Sequence, residues 1–304
     1  MKLRVCRVIH LRAIVCCDTK ICFGASLKFS FARPILPSTL FKLCFACRRA
    51  DTPMPLHESE AIVLHSYPLG EADRLVSFLS RTMGRMRGVA AGARRPKSRF
   101  GSTLERLSHI RIWFFERETR ELVRINQCEI IESFVGAFRD YDSSVGLSLF
   151  SEVTQAVLPE KEASDPNFRL LLLCAQTVKR TGKIEPSLAY FTLWTVKLGG
   201  WLPPLDTCSR CSRVLQGQPA SAQVAYFSPA SSAVVCANCR KPGMRTIGPP
   251  VLAAMRRMLS ERLDRLADDA VPPRTAKELT EIMLDVIEHQ IDRKLASREL
   301  LESA

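Results

Sequence analysis

A chain of 304 residues with 46% hydrophobic and 25% charged residues has an ordinary globular composition and room for two or three domains, which excludes wholesale disorder. No uninterrupted apolar run approaches the ~20 residues of a membrane span. The net charge of +13 is less ordinary and points to a polyanionic partner, nucleic acid ahead of an acidic membrane surface.

Residues 1–53 carry ten Lys/Arg against only Asp18 and Asp51, so +8 of the charge lies there and +5 remains beyond. They also hold six of the twelve cysteines. Their longest apolar stretch, 13–17, is too short for a secretory h-region. Nothing before Met54 is periodic, whereas "MPLHESEAIVLHSY" begins strand-like alternation at once. Residues 1–53 are therefore expected to be a non-native or disordered extension, with Met54 as the true start. A transit peptide and a genuine basic arm are the alternatives. Cys44 and Cys47 form a CxxC with no second pair nearby and are not read as a metal site.

From 59 to 132 the pattern is β-like. Short strands are expected at 61–65, 75–79, 85–91, 109–115 and 121–131, with a charged hairpin tip "ERETRE" between the last two. Five short strands in about 75 residues suit a small closed barrel, and the OB-fold is the leading candidate. Within this region Arg81, Arg85, Arg87, Arg94, Arg95, Lys97, Arg99, Arg106 and Arg111 cluster, and no acid falls between Asp73 and Glu105. Long cationic side chains on a strand and a Gly/Pro-punctuated loop are what phosphate contacts require. Phe100 and Phe114 are the candidates for base stacking, with a core role expected for Phe114. Binding should be weakly sequence-selective and salt-sensitive.

From about Phe134 the period becomes helical. Helices are expected over 143–157, from an Asp165-Pro166 start to Gly182, over 186–198 and over 250–266. The last long helix should open on a Thr275–Glu278 capping box. Its stripe Leu279, Ile282, Met283, Val286, Ile287 and Ile291 reads as core packing.

Between these helices, Cys208 and Cys211, then Cys236 and Cys239, are two CxxC pairs separated by 24 residues. Two such knuckles supply a closed tetrahedral set of thiolates for one zinc ion. Disulfides and a redox CxxC are the rival uses, and nothing in the chain suggests secretion. With four thiolates no position stays open for water or substrate, so the site should be structural. The intervening "YFSPASSAVV" reads as a hairpin joining the knuckles. Cys128 and Cys174 are expected to be inert core thiols.

Catalytic signals are missing. There is no G-x-x-x-x-G-K-[ST] loop, and Gly84, Gly88 and Gly92 match no phosphate fingerprint. The five histidines are scattered, and Glu116, Glu118 and Glu121 sit on the expected hairpin tip as solvated charge. No catalytic residue is assigned, and the protein is not expected to be an enzyme.

The order of these features resembles the RecO family of bacterial recombination mediators, over essentially Met54 to Ala304. "EAIVLHSYPLGEADRLVSFLSRTMGRMRGVAAGARRPKSRFG" looks like that family's N-terminal barrel. "KLGGWLPPLDTCSRC", followed by "YFSPASSAVVCANC", is similar to its helix-to-zinc junction, and "EHQIDRKLASRELL" to its closing helix. The resemblance implies an α+β multidomain protein, with an OB-fold β-barrel (54–133) and an α-helical bundle (134–200 and 248–304) into which a four-cysteine zinc module (201–247) is inserted. It implies binding of single- and double-stranded DNA and annealing of complementary strands. It also implies partnership with RecR, often RecF, and the C-terminal tail of single-strand binding protein, to load RecA in the bacterial cytoplasm at the nucleoid. DNA contact carries onto Arg85, Arg87, Arg94, Arg95, Lys97 and Arg99, and zinc ligation onto the four cysteines. The runner-up reading is a zinc-ribbon and OB-fold protein associated with RNA or transcription.

Overall fold

The computed structural model describes residues 55–116, 121–215, 224–229, 232–266 and 271–302. The expectations for residues 1–53, for Met54, for Cys44 and Cys47 and for Glu118 lie outside the described residues.

Five strands come first: β1 (Leu56–Leu69), β2 (Asp73–Ser80), β3 (Gly84–Ala90), β4 (His109–Phe115) and β5 (Val123–Glu132). They close in the order β1-β2-β3-β5-β4, with β1 pairing antiparallel to both β2 and β4 and a short parallel β3–β5 pairing completing the barrel. This fits the five-stranded OB-fold expected from the strand pattern. Strand alternation fills the interior. Ala61, Val63, Val76, Phe78, Met86, Ile110, Ile112, Phe114 and Ile125 form the barrel core. Gly88 makes the parallel closure possible, because a Cβ there would lie 2.8 Å from Val123 Cγ2 and 2.9 Å from Ile125 Cγ1.

The helical part comprises α1 (Tyr141–Val157), α2 (Asp165–Thr181), α3 (Glu185–Leu198), α4 (Pro249–Ser260), α5 (Leu263–Leu266), α6 (Pro273–Ile291) and α7 (Ala296–Glu302). Asp140 caps α1, its carboxylate accepting from Ser143 N at 2.8 Å. Three helix starts or ends differ from expectation. The cap of α2 is Ser164, and Asp165 lies inside the first turn, where its carboxylate pairs with Arg81 and Arg169. The expected capping box at Thr275 does not form. Pro273 supplies the first helical φ and Pro272 is the cap, so α6 begins three residues earlier and Thr275 is already inside it. The helix expected over 250–266 breaks where Glu261 takes extended dihedrals (φ −115°, ψ 154°).

The closing segment is also two helices. Asp292 is left-handed (φ 49°) and ends α6, and the chain then turns into α7. Two carboxylates hold that turn. Glu152 on α1 accepts from Ala296 N and Ser297 N, both at 2.9 Å, capping α7 from another helix. Buried Glu288 accepts from Leu295 N, Lys294 and Arg298. The stripe on α6 is core, as its spacing indicates: Leu279, Ile282, Met283, Val286 and Ile287 are all fully buried.

Between α3 and α4 lies a small sheet of β6 (Ala225–Ser228), β7 (Ala233–Val235) and β8 (Arg245–Ile247), in the order β7-β6-β8. Ala225, Phe227, Val234 and Ile247 turn one face of it into the helical core. Arg245 fastens its edge to α6 through Glu281 (2.7 Å) and Asp285 (2.6 Å).

The barrel meets the helices through β1 to β3. Ile62, Leu64 and Leu79 point outward from the barrel and join the helical core. The chain between α1 and α2 then runs along the start of β3, with Lys161 N donating to Arg85 O at 2.9 Å. Gly84 has φ +75°, and a Cβ there would stand 2.0 Å from the backbone oxygen of Glu162. Gly84→Ala is therefore expected to cost about 1–3 kcal/mol from the left-handed backbone alone. Urea denaturation would check this, and an unchanged midpoint would contradict the close approach.

Candidate metal centre and basic surface

The four cysteines of the two CxxC pairs converge. All four Sγ atoms lie within 4.8 Å of one another, and Cys211 and Cys236 are separated by 3.8 Å. A tetrahedral ion with Zn–S of ~2.3 Å places its sulfurs about 3.8 Å apart, so the set fits a four-thiolate ion. It does not fit a disulfide, and all four are free cysteines.

Local backbone builds each half of the cluster. Ser212 N donates to Cys208 O and Cys208 N to Arg213 O, with Ser212 left-handed at φ 56°, which turns the first pair. Cys239 N donates to Cys236 O across the second, and Ser209 N donates to Val234 O, tying the first pair to β7. Burial works against the Cys208 thiolate. N–H groups from Cys236, Cys211 and Arg210, with the Cys211 thiol, outweigh it and bring the group down to about 6. Donors already aimed at a sulfur suit a thiolate ligand. Cys208 and Cys236 are buried, Cys239 is half-buried and Cys211 is exposed. The remaining thiols are core groups: burial pushes Cys128 up to about 12 and Cys174 well above its ordinary value.

The six cations expected to contact nucleic acid divide into two groups. Arg85 and Arg87, on the outer face of β3, are engaged by Glu160. Arg85 Nη1 is 3.2 Å and Arg87 Nε 2.8 Å from its Oε1, and Arg85 Nε also donates to Leu158 O at 2.8 Å. A carboxylate in that position cancels much of the potential the two guanidiniums would offer a phosphate. Arg81 and Arg111 are likewise paired, with Glu60 and Asp165 and with Glu58.

Arg94, Arg95, Lys97 and Arg99 occupy the connection between β3 and β4 and are all exposed. Among the described residues none of these four has a carboxylate within ion-pair distance. Tight turns hold the connection: Arg95 N donates to Gly92 O, Ser98 N to Arg95 O, and Gly92 N to the Asp73 carboxylate at 2.8 Å. Arg94 Nη1 donates to Gly70 O at 2.8 Å, which moors it to the β1–β2 hairpin. Arg95, Lys97 and Arg99 line an open cleft of about 400 Å³. Arg124 of β5 lines it too. The strand pattern did not single this residue out, because only the parallel β3–β5 pairing brings it beside the connection.

Phe114 takes the core role expected of it, and Phe100 is corrected as a stacking candidate. Phe100 is 1% exposed and lies in the barrel core with Phe114, so neither ring can receive a base. The ring following Arg99 turns inward to join the apolar barrel interior, a placement that spacing along a loop does not reveal. Glu116 is not free solvated charge either; its carboxylate pairs with Lys161 at 2.6 Å.

Comparison with known proteins agrees with this architecture. A family model described as Recombination protein O N terminal matches residues 54–134, and one described as Recombination protein O C terminal matches 139–299. A DNA repair protein RecO of Koribacter versatilis is 34% identical over 248 residues, covering 81% of this chain and 98% of that protein. Proteins of the same name from a Nocardioides species and from Streptomyces avermitilis are each 32% identical, covering 81% and 82% of this chain and 99% and 100% of theirs. The two matched models span nearly all of the chain beyond residue 53, and the chain belongs to the RecO family.

Proposed function

We propose that this protein is a DNA repair and recombination mediator that binds single- and double-stranded DNA and anneals complementary strands without turnover. The observation that carries the reading is the exposed set Arg94, Arg95, Lys97 and Arg99, without carboxylate partners among the described residues, on the barrel of a chain similar to DNA repair proteins. Such cations displace counterions from two strands at once and lower the repulsion that opposes their pairing. No sequence-reading helix is needed for this, since annealing must tolerate any sequence. In this reading the protein acts with RecR, and with RecF where present, and engages the C-terminal tail of single-strand binding protein through its helical part. Its product is DNA on which RecA can be loaded, in the bacterial cytoplasm at the nucleoid. No helix among the described residues is long and apolar enough to cross a membrane.

The four cysteines are proposed to hold one structural zinc ion. Bound there, zinc supplies a charge-compensating cross-link and offers no open coordination position. Its contribution is folding free energy for the β6–β8 sheet, one face of which is part of the helical core.

Annealing of two complementary oligonucleotides, with and without bound single-strand binding protein, tests the main reading. Four phosphate contacts predict a log–log salt slope of about −3 on single strands, hence roughly 50-fold weaker binding between 50 and 200 mM salt. Arg94→Glu with Arg95→Glu should abolish annealing and flatten that slope. A salt-independent affinity, or a preference for structured RNA over DNA in competition, would contradict the proposal. For the metal, the purified protein should carry one zinc per chain by elemental analysis. Cys211→Ser, at the exposed ligand, should lower the zinc content and the melting temperature while leaving DNA affinity of the folded fraction near wild type. Unchanged melting after metal removal would refute the structural role.

A further inference from the structure

A second cleft, of about 530 Å³, opens where the barrel meets α1. Arg74 and Arg106 face it with His65 and Ser66 from β1 and Ser144 and Ser148 from α1. The two guanidiniums are set against one carboxylate, Glu105, which is half-exposed and 3.8 Å from Arg74. Each is held in place by neutral partners. Arg74 Nη1 donates to Ser66 Oγ at 3.2 Å, and Arg106 donates to His65 Nδ1 at 2.9 Å and to Ser148 Oγ. A guanidinium can only donate, so His65 accepts through Nδ1. Burial, then the Arg106 charge, holds its pKa below the ordinary value, which keeps the ring neutral.

Beside this cleft an aromatic side chain faces solvent. Tyr67 is 47% exposed, and its ring centroid lies 4.0 Å from that of His65. A bulge between Val63 and His65 shifts the β1–β2 register. It puts His65 and Tyr67 on the outer face of the barrel, while Ser66 opposes the buried Val76.

The cleft and the basic surface share the β1–β2 hairpin. Arg74 follows Asp73, which lines the cleft of Arg95, Lys97 and Arg99, and Arg94 is moored to Gly70 in the same β1–β2 hairpin. Cations therefore flank this hairpin, Arg94, Arg95, Lys97 and Arg99 in one cluster and Arg74 with Arg106 in the other, and the exposed Tyr67 with the half-buried His65 lies beside the second. A cationic track with a stacking platform is the chemistry that holds single strands, because only an unpaired base can offer its face to a ring. His65, tilted 52° to Tyr67, supports that ring from one side, and the Ser66 hydroxyl, which accepts from Arg74, can donate to a phosphate oxygen.

We infer that the cleft at the barrel–helix junction is a nucleotide subsite for single-stranded DNA, in which Tyr67, backed by His65, stacks one base while Arg74 and Arg106 hold its phosphate. The inference rests on the DNA-binding reading and deepens it, separating a platform that senses unpaired bases from a basic loop that serves either form of DNA.

Fluorescence anisotropy of the full chain with labelled dT20 and with a 20-base-pair duplex tests this. Tyr67→Leu should weaken dT20 binding about tenfold, the loss of one stacked base, and leave duplex binding within twofold of wild type. Tyr67→Phe should bind both like wild type. As a check independent of any variant, ultraviolet irradiation of wild type with iodouracil-substituted dT20 should cross-link Tyr67. Equal dT20 affinity for Tyr67→Leu and wild type, parallel loss on both DNAs, or a cross-link pattern that omits Tyr67 would overturn the subsite and leave the DNA-binding reading standing. Binding of neither DNA by wild type would sink both.

Discussion

Burial of both faces of β1 is the constraint on which the rest of the structure depends. Ala61 and Val63 face into the barrel, while Ile62 and Leu64 face out of it and lie in the helical core. A strand in an isolated small barrel would show one polar face to water. Here four consecutive residues are each no more than 1% exposed, so barrel and helices share hydrophobic surface and cannot separate without exposing it. The approach of the 158–162 segment to Gly84 and the cleft between β1 and α1 follow from that shared strand.

The same packing decides which cations are available. Positive residues are spread along the whole of 81–111, and tertiary structure divides them by what lies opposite. Where β3 turns its outer face toward the link between α1 and α2, Glu160 meets Arg85 and Arg87. Pairs that solvent still reaches, as it does Arg87 and Glu160, contribute little to stability, in general about 0–1 kcal/mol. Their larger effect is on the field, since among the described residues they leave Arg94, Arg95, Lys97 and Arg99 of the β3–β4 connection without a carboxylate partner while Arg85 and Arg87 have one. Folding thus concentrates a diffuse basic stretch into an oriented surface.

The cysteine cluster is a different kind of element. Its sheet is only four residues at its longest strand and has one face against the helices and the other against the sulfurs. Such a sheet is too small to supply its own core, which is the situation in which cross-linking by a metal matters. Its distance in sequence from the basic loop, and its attachment to α6 through Arg245, set it on the helical side of the molecule. That separation is the one expected of the proposal in which the cysteine cluster shapes the fold and the barrel meets DNA.

By itself, the sequence determined the classes of structure and the four-cysteine set. Short apolar runs, one alternating run and β-branched or aromatic-rich stretches marked the five strands, period 3.6 marked the long helices, and the two CxxC pairs named all four converging thiols, because these signals are local along the chain. Membership of the RecO family was legible for the same reason, in three blocks standing in the right order. What only the tertiary structure decided is the fate of single side chains. Phe100 turned inward, Arg85 and Arg87 acquired a carboxylate from 73 or more residues away, Arg124 reached the basic loop across a parallel pairing, and Tyr67 came to lie exposed against His65. Helix ends fell between the two: Pro273 advanced one start, while the end of α6 at Asp292 is held by Glu288 and the start of α7 by Glu152 on α1. The physical reason is range. Periodicity and knuckle spacing act within a few residues, whereas burial, charge pairing and exposure depend on partners that only folding brings together.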